Sequence, residues 1–242
     1  MKYLGVDIAK PKIAVFDFTS CEGCELQLVN KEETLPDFLS LLEVVQFREA
    51  SSDKGEDYDI ALVEGCISRT DEIKRLKHIR AQAKVLVALG SCACFGGVNH
   101  IKNNFPLDDV VREVYGTDKV DTIEVKSLKE VVPVDLEIPG CPISKDEVEK
   151  IVVSLVTGSD IKIPKYPVCT ECRQNLNTCM SLFGKICLGP ITRAGCGAVC
   201  PSAKVGCLGC RGPAEDTHCE TLVEIMEERG FTREEDQGRI QF

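Results

Sequence analysis

The stretch Lys84-Val85-Leu86-Val87-Ala88-Leu89, running directly into Gly90-Ser91-Cys92-Ala93-Cys94-Phe95-Gly96-Gly97, decides how this chain folds. Its first half is a nearly continuous apolar run. That pattern predicts a strand buried on both faces. Its second half is a glycine-rich turn that carries two thiols. Related runs lie on either side: Lys12–Phe18 (KIAVFDF), Glu43–Phe47 (EVVQF), Asp59–Val63 (DIALV) and the short Leu136–Ile138. Helical patterns separate them at Leu35–Leu42, at Thr70–Ala83 with Thr70 or Asp71 as cap, and at Ser144–Val156 with Ser144 as cap. Ser51–Tyr58 is polar, contains a glycine and reads as a loop. Buried strands alternating with helices predict an α/β fold, a flavodoxin-like open parallel sheet, over residues 1–157.

The chain has 242 residues, enough for one sizeable core and a small second unit. No apolar run reaches eighteen residues, so no membrane span is expected, and the N-terminus lacks the order of a secretion signal. A formal charge of −10 argues against a nucleic-acid partner or an anionic membrane surface. Cysteine is the outlier at fifteen residues, an odd number that disulfides cannot use up. Without an export signal the expected location is the reducing cytoplasm, where clustered thiols read as metal ligands. Residues 158–168 carry two prolines and read as a linker. Beyond it, nine of the fifteen cysteines crowd a glycine- and proline-rich segment that closes on one helix, about Thr217–Arg229. Residues 158–242 are thus expected to form a small, irregular iron–sulfur domain.

Ligands in open α/β sheets sit beyond the carboxyl ends of the strands. Three strand ends here deliver cysteine: Cys21-Glu22-Gly23-Cys24 after the first strand, Cys92 or Cys94 after the fourth, and Pro139-Gly140-Cys141-Pro142 after the fifth. Four converging thiolates can hold a [4Fe–4S] cluster, and the adjacent glycines let backbone N–H groups approach its sulfurs. Four thiolates suit zinc as well.

The C-terminal segment spaces its thiols as Cys169-x2-Cys172-x6-Cys179-x7-Cys187 and Cys196-x3-Cys200-x6-Cys207-x2-Cys210. A segment so short and poor in aromatics builds little apolar core. Two cubane clusters would staple it, as metals do in other small scaffolds. A pair of zinc ribbons is the alternative that spacing leaves open.

In combination, Cys21-x-Gly-Cys24, Val63-Glu64-Gly65, Gly90-Ser-Cys92-Ala-x-x-Gly-Gly97 and Pro139-Gly-Cys141-Pro142 resemble the small subunit of [NiFe]-hydrogenases. The second half resembles its cytoplasmic subgroup, the sulfhydrogenase delta and methyl-viologen-reducing hydrogenase small subunits. Cys187-Leu-Gly-Pro190, with Cys196 nine positions on, is common to the wider family. The resemblance implies that Cys92 rather than Cys94 is the third ligand, so that Cys21, Cys24, Cys92 and Cys141 hold a proximal [4Fe–4S] cluster. It implies a distal cluster on Cys169, Cys172, Cys179 and Cys187, and a medial one on Cys196, Cys200, Cys207 and Cys210. Where the periplasmic type begins its distal quartet with histidine, this chain has Cys169. Where that type has a three-iron medial site, Cys200 supplies a fourth thiolate. Three [4Fe–4S] clusters follow. The resemblance implies that the Ni–Fe centre lies on a separate large partner subunit, whose paired nickel- and iron-binding C-x-x-C motifs near both chain ends have no counterpart here. Flavin-bearing, diaphorase-type or ferredoxin-like electron-transfer subunits are the further partners implied.

Glu22, Glu25 and Glu64 flank the proximal quartet and read as surface or helix-start carboxylates, with a proton relay as the alternative. Cys66, Cys94 and Cys219 stand outside the three quartets, with Cys66 close to the first cluster and Cys219 as a buried thiol. His78 and His218 read as solvated, and His100 as a loop residue. Three other readings compete: the homologous cluster subunit of respiratory complex I, which resembles only the first domain; a stand-alone ferredoxin-like carrier; and a zinc-binding adaptor.

Overall fold

The computed structural model describes residues 2–3, 6–7, 10–30, 42–52, 55–117 and 119–231. The helix expected at Leu35–Leu42 lies outside them, Leu42 apart. A short antiparallel pair, β1 (Lys2–Tyr3) and β2 (Val6–Asp7), precedes the main sheet. That sheet comprises β3 (Lys12–Asp17), β4 (Glu43–Phe47), β5 (Ile60–Glu64), β6 (Val85–Leu89) and β7 (Leu136–Ile138). Its order is β4-β3-β5-β6-β7 and every pairing is parallel. This is the flavodoxin-like doubly wound order, whose switch point lies between β3 and β5. The expected α/β class is therefore the observed one.

Every residue of β5 and of β6 is buried. Strand side chains alternate between faces. On one face Ala14, Phe16, Ala61, Val63, Leu86 and Ala88 pack into one core with Leu76, Ile79 and Leu128. Their neighbours Ile13, Val15, Ile60, Leu62, Val85 and Val87 are equally buried, so the sheet is covered on both sides. Such burial explains why β5 and β6 read as apolar runs instead of alternating patterns.

Among the described residues, α-helices join these strands and continue beyond them: α1 (Gly23–Val29), α2 (Thr70–Gln82), α3 (Gly90–Phe95), α4 (Leu107–Tyr115), α5 (Lys145–Thr157), α6 (Val168–Gln174), α7 (Val199–Ser202) and α8 (Cys219–Glu228). Helix α5 buries Val148, Ile151, Val152 and Leu155, one stripe at helical spacing. Two expectations need correction. The cap position of α2 is Arg69, one residue before those expected. Glu72 of its first turn accepts the backbone N–H groups of Ser68 and Arg69 at 2.8 and 3.1 Å and takes over the capping. His100 belongs to a 3₁₀ helix, Gly97–Asn104, not to a loop. Polar Asn and Lys residues at these positions hide that turn from any apolar period.

The chain divides into two compact units, Met1–Ile161 and Lys162–Phe242. The second holds little regular structure beyond α6, α7, α8 and a 3₁₀ turn, Met180–Phe183. One of its two apolar clusters consists of Val168, Met180, Cys187, Ala198 and Cys207, with Cys172 and Cys196 packed against it. Cysteine stands where other domains place leucine.

Leu76 is fully buried on the sheet side of α2 while His78 is exposed on the other. Leu76→Ala is expected to cost about 2–5 kcal/mol, and His78→Ala less than about 0.5 kcal/mol. Urea titration followed by far-UV circular dichroism measures both; equal losses would contradict this packing.

Candidate metal centres

The carboxyl ends of β3, β5, β6 and β7 lie along one edge of the sheet, and four cysteines follow from three of them. Cys21 and Cys24 come from the turn into α1, Cys92 from the first turn of α3, and Cys141 from the segment after β7. Cys21 and Cys141 are exposed, Cys92 is half-buried and Cys24 is buried. Burial pushes the Cys92 thiol up to about 12, helped by Cys66, Cys141, Cys21 and Glu64 facing it. Cys24 is raised by burial and by Glu64, with Cys92 also nearby, and Cys141 by burial and then by Cys21. The first quartet therefore assembles at one place.

The glycines around it are fitted to sulfur. A Cβ on Gly90, whose φ is +82°, would stand 2.4 Å from Cys24 Sγ. One on Gly97, at φ +56°, would stand 2.8 Å from Cys92 Sγ. The backbone thus comes close enough to the thiols to leave no room for a side chain. Bare thiols with raised pKa stay protonated at neutral pH, whereas coordination to a metal core ionises them. Donor set and glycine cradle together fit a thiolate-bound inorganic cluster.

Glu64, at the end of β5, is almost fully buried. It accepts the backbone N–H groups of Cys24 at 3.2 Å and Glu25 at 2.7 Å. Its carboxylate closes the open N-terminus of α1, a charge-assisted bond that fixes the Cys24 turn. Of the two readings expected, surface or helix-start carboxylate, the second applies to both: Glu25 lies buried in the first turn of α1 and Glu64 caps it. Glu25 is 1% exposed, and neither of its carboxyl oxygens has a hydrogen-bond partner. Burial first, then the carboxylates of Asp17, Glu64, Glu49 and Glu22, push it up to about 8. Glu22 lies at the surface in an ion pair with Arg48.

Cys66 is fully buried and donates to the Thr19 carbonyl at 3.3 Å, while burial pushes it up to about 11. Cys94 points the other way, into the core beside the Ala88 carbonyl at 3.7 Å. Asn99, which the sequence did not single out, places its amide nitrogen 3.7 Å from Cys92 Sγ. Its only sequence cue is its place two residues past the Gly96-Gly97 turn.

In the second unit, Cys169 faces Cys187, Cys172 and Cys179, and burial pushes it up to about 11. Cys172 faces Cys187 and Cys179, with the Asn177 amide beside it. A Cβ on Gly189 would lie 3.4 Å from Cys187 Sγ and 3.5 Å from Cys169 Sγ. Ser181 Oγ is 3.0 Å from Cys179 Sγ and, with Arg229 also near, holds that thiol below its usual value. The remaining four form two pairs, Cys196 with Cys200 and Cys207 with Cys210, each pair facing Cys187. The Cys207 N–H donates to Cys187 Sγ at 3.2 Å. Arg211 is 1% exposed and donates to the Ala194 carbonyl at 2.9 Å, a buried cation in the cysteine-rich unit. Its adjacency to Cys210 was visible in the sequence; its burial was not. Cys219 opens α8 and packs half-buried against a separate apolar cluster of Leu188, Ile191, Leu222 and Met226.

Among the described residues no three Cys, His, Asp or Glu side chains close on a single metal ion.

The family described as NADH ubiquinone oxidoreductase, 20 Kd subunit, matches residues 21–155. The match spans the first quartet and stops short of Cys169. Sulfhydrogenase 2 subunit delta of Pyrococcus furiosus is 39% identical over 90% of this chain and 92% of its own length. A subunit of the F420-non-reducing hydrogenase of Methanocaldococcus jannaschii is 31% identical over 84% of this chain and 82% of its own. A chain of the NAD⁺-reducing [NiFe]-hydrogenase in the H₂-reduced state shares the fold, with a TM-score of 0.59 at 23% identity over 64% of this chain and 96% of that one. Sheet order, the thiol-bearing strand ends and two likenesses that run through both units agree: this chain belongs to the family of the NADH ubiquinone oxidoreductase 20 kDa subunit, alongside subunits of sulfhydrogenase and of F420-non-reducing hydrogenase.

Proposed function

We propose that this chain is the electron-transfer subunit of a multisubunit [NiFe]-hydrogenase. It carries a proximal [4Fe–4S] cluster on Cys21, Cys24, Cys92 and Cys141, a distal one on Cys169, Cys172, Cys179 and Cys187, and a medial one on Cys196, Cys200, Cys207 and Cys210. When bound, these clusters supply one-electron carriers between a Ni–Fe site on a large subunit and a flavin-bearing, diaphorase-type or ferredoxin-like partner, in H₂ oxidation or evolution. The observation that carries the reading is the convergence of four thiols from three strand ends onto a glycine cradle. The domain division, 1–157 for the first cluster and 158–242 for the other two, belongs to the same proposal.

The chain's own residues have definite tasks in this reading. Cysteine thiolates hold the metal. Glu64 fixes the turn that aims Cys24. Gly90 and Gly97 admit the sulfurs at close range. Burial of Cys24, Cys187 and Cys207 excludes water from one side of each site.

Leu176, Leu182, Phe183 and Leu208, within the cysteine-rich unit, are largely exposed. Apolar exposure on this scale favours a subunit of a complex over a free carrier. No helix among the described residues is long and apolar enough to cross a membrane. A cytoplasmic complex is the location proposed. The complex I reading accounts for residues 21–155 alone, whereas the sulfhydrogenase likeness covers 90% of the chain. That difference favours the hydrogenase.

Affinity purification of the tagged chain, anaerobically, is expected to co-elute a larger nickel-containing subunit. Its absence from preparations with hydrogenase activity would defeat the assignment. Cys141→Ser is expected to abolish H₂-dependent dye reduction by the complex, at least about 100-fold if electrons have no other exit; unchanged rates would remove Cys141 from the pathway. Gly90→Ala is expected to lower iron by about four per chain, the content of one cubane. Gly116→Ala, where a Cβ meets nothing within 4 Å, is the control that keeps full iron. Equal iron in both would contradict the cradle.

A further inference from the structure

The proximal quartet receives one hydrogen bond from a side chain that is neither a ligand nor titratable. Asn99 lies in the 3₁₀ helix Gly97–Asn104 that follows α3. Its Nδ2 is 3.7 Å from Cys92 Sγ and 3.5 Å from the carbonyl oxygen of Thr19. Cys66 also faces this amide and itself donates to the same Thr19 carbonyl at 3.3 Å. Thr19 lies two residues before Cys21. The amide therefore joins the strand end that leads to Cys21 and Cys24 with the turn that carries Cys92.

The orientation of the amide follows from its surroundings. The Thr19 carbonyl accepts only, and a metal-bound Cys92 thiolate accepts only. The –NH₂ end must face them, because Oδ1 would oppose two acceptors. Backbone geometry enforces the approach. Gly96 and Gly97 have φ of +84° and +56°, which turns the chain back over α3. At Gly97 a Cβ would fall 3.0 Å from Cys92 Cα as well as 2.8 Å from its sulfur. The turn has no slack, so Asn99 is delivered to Cys92.

We propose that Asn99 is a positioning and potential-setting residue: its amide N–H, donated to the Cys92 thiolate, raises the reduction potential of the cluster held by Cys21, Cys24, Cys92 and Cys141. This rests on the cluster assignment proposed above. Adding one electron to such a cluster spreads negative charge over its sulfurs. A donor aimed at one sulfur stabilises the reduced form more than the oxidised one. An amide does not titrate, so this contribution is constant with pH. Leucine has a similar shape and no donor, so Asn99→Leu removes the bond with little change in volume.

The test is an EPR-monitored redox titration of the purified complex. The proximal signal is identified as the one that Cys141→Ser alters. In Asn99→Leu with full iron, its midpoint is expected to become more negative. At the wild-type midpoint the reduced-to-oxidised ratio should fall about tenfold, equivalent to about 59 mV for a one-electron couple. The signals of the other two clusters should not move. Full iron with an unmoved proximal midpoint would overturn the role of Asn99 and leave the cluster standing. Wild-type complex with no Cys141-dependent signal would overturn the cluster itself. If Asn99→Leu fails to load iron, wild type labelled with ¹⁵N-asparagine decides. A ¹⁵N hyperfine coupling on the proximal signal supports the bond and its absence overturns it. Asn177 faces Cys172 in the second unit and so cannot supply that coupling on the Cys141-dependent signal.

Discussion

Thiols that repel one another's ionised forms must share a small, partly dry space. That constraint governs the rest of the molecule. Cys24, Cys92 and Cys141 are all pushed up, by burial first and then by neighbouring thiols or the Glu64 carboxylate. Left bare, such a group of side chains gains nothing from being together. A metal core with net positive charge reverses the sign of the interaction and makes the assembly favourable. The fold answers the same constraint with geometry. A parallel sheet delivers every strand end to one edge, and glycine removes the side chains that would keep the sulfurs apart.

The second unit carries the constraint further. Cysteines form much of one of its apolar clusters, and Cys187 faces thiols of both proposed quartets. A unit with so little apolar side chain cannot supply the hydrophobic burial that an ordinary small domain needs. In the proposed reading, cross-linking by metal would serve its stability as well as its chemistry. Backbone and hydroxyl donors to sulfur, Cys207 N–H on Cys187 and Ser181 O–H on Cys179, continue the theme of offsetting thiolate charge.

Much of this was legible in the residues. β5 and β6 are apolar throughout, and nothing except a doubly covered parallel sheet accommodates such strands at so short a length. That cysteines crowd the sheet edge and the C-terminal segment was legible because C-x-x-C spacings and Gly-flanked thiols are local patterns; their division into three quartets is part of the proposal. What sequence reasoning lost was long-range or aperiodic. Glu64 read only as a surface or helix-start acid, since the folded sheet alone shows that it is buried and caps α1, 39 and 40 positions away along the chain. Asn99 carried no pattern at all, since its role depends on a two-glycine turn bringing it over Cys92. The cap of α2 was misplaced by one residue because a first-turn Glu took over from the usual Ser or Asp. The choice of Cys92 over Cys94 came from family likeness; the fold adds that Cys94 turns into the core.

Anaerobic metal and acid-labile sulfide analysis of the purified chain tests the central claim most directly. The account predicts about twelve irons and about twelve sulfides per chain, the content of three cubanes. A colourless protein with two or three zincs and no sulfide would contradict it.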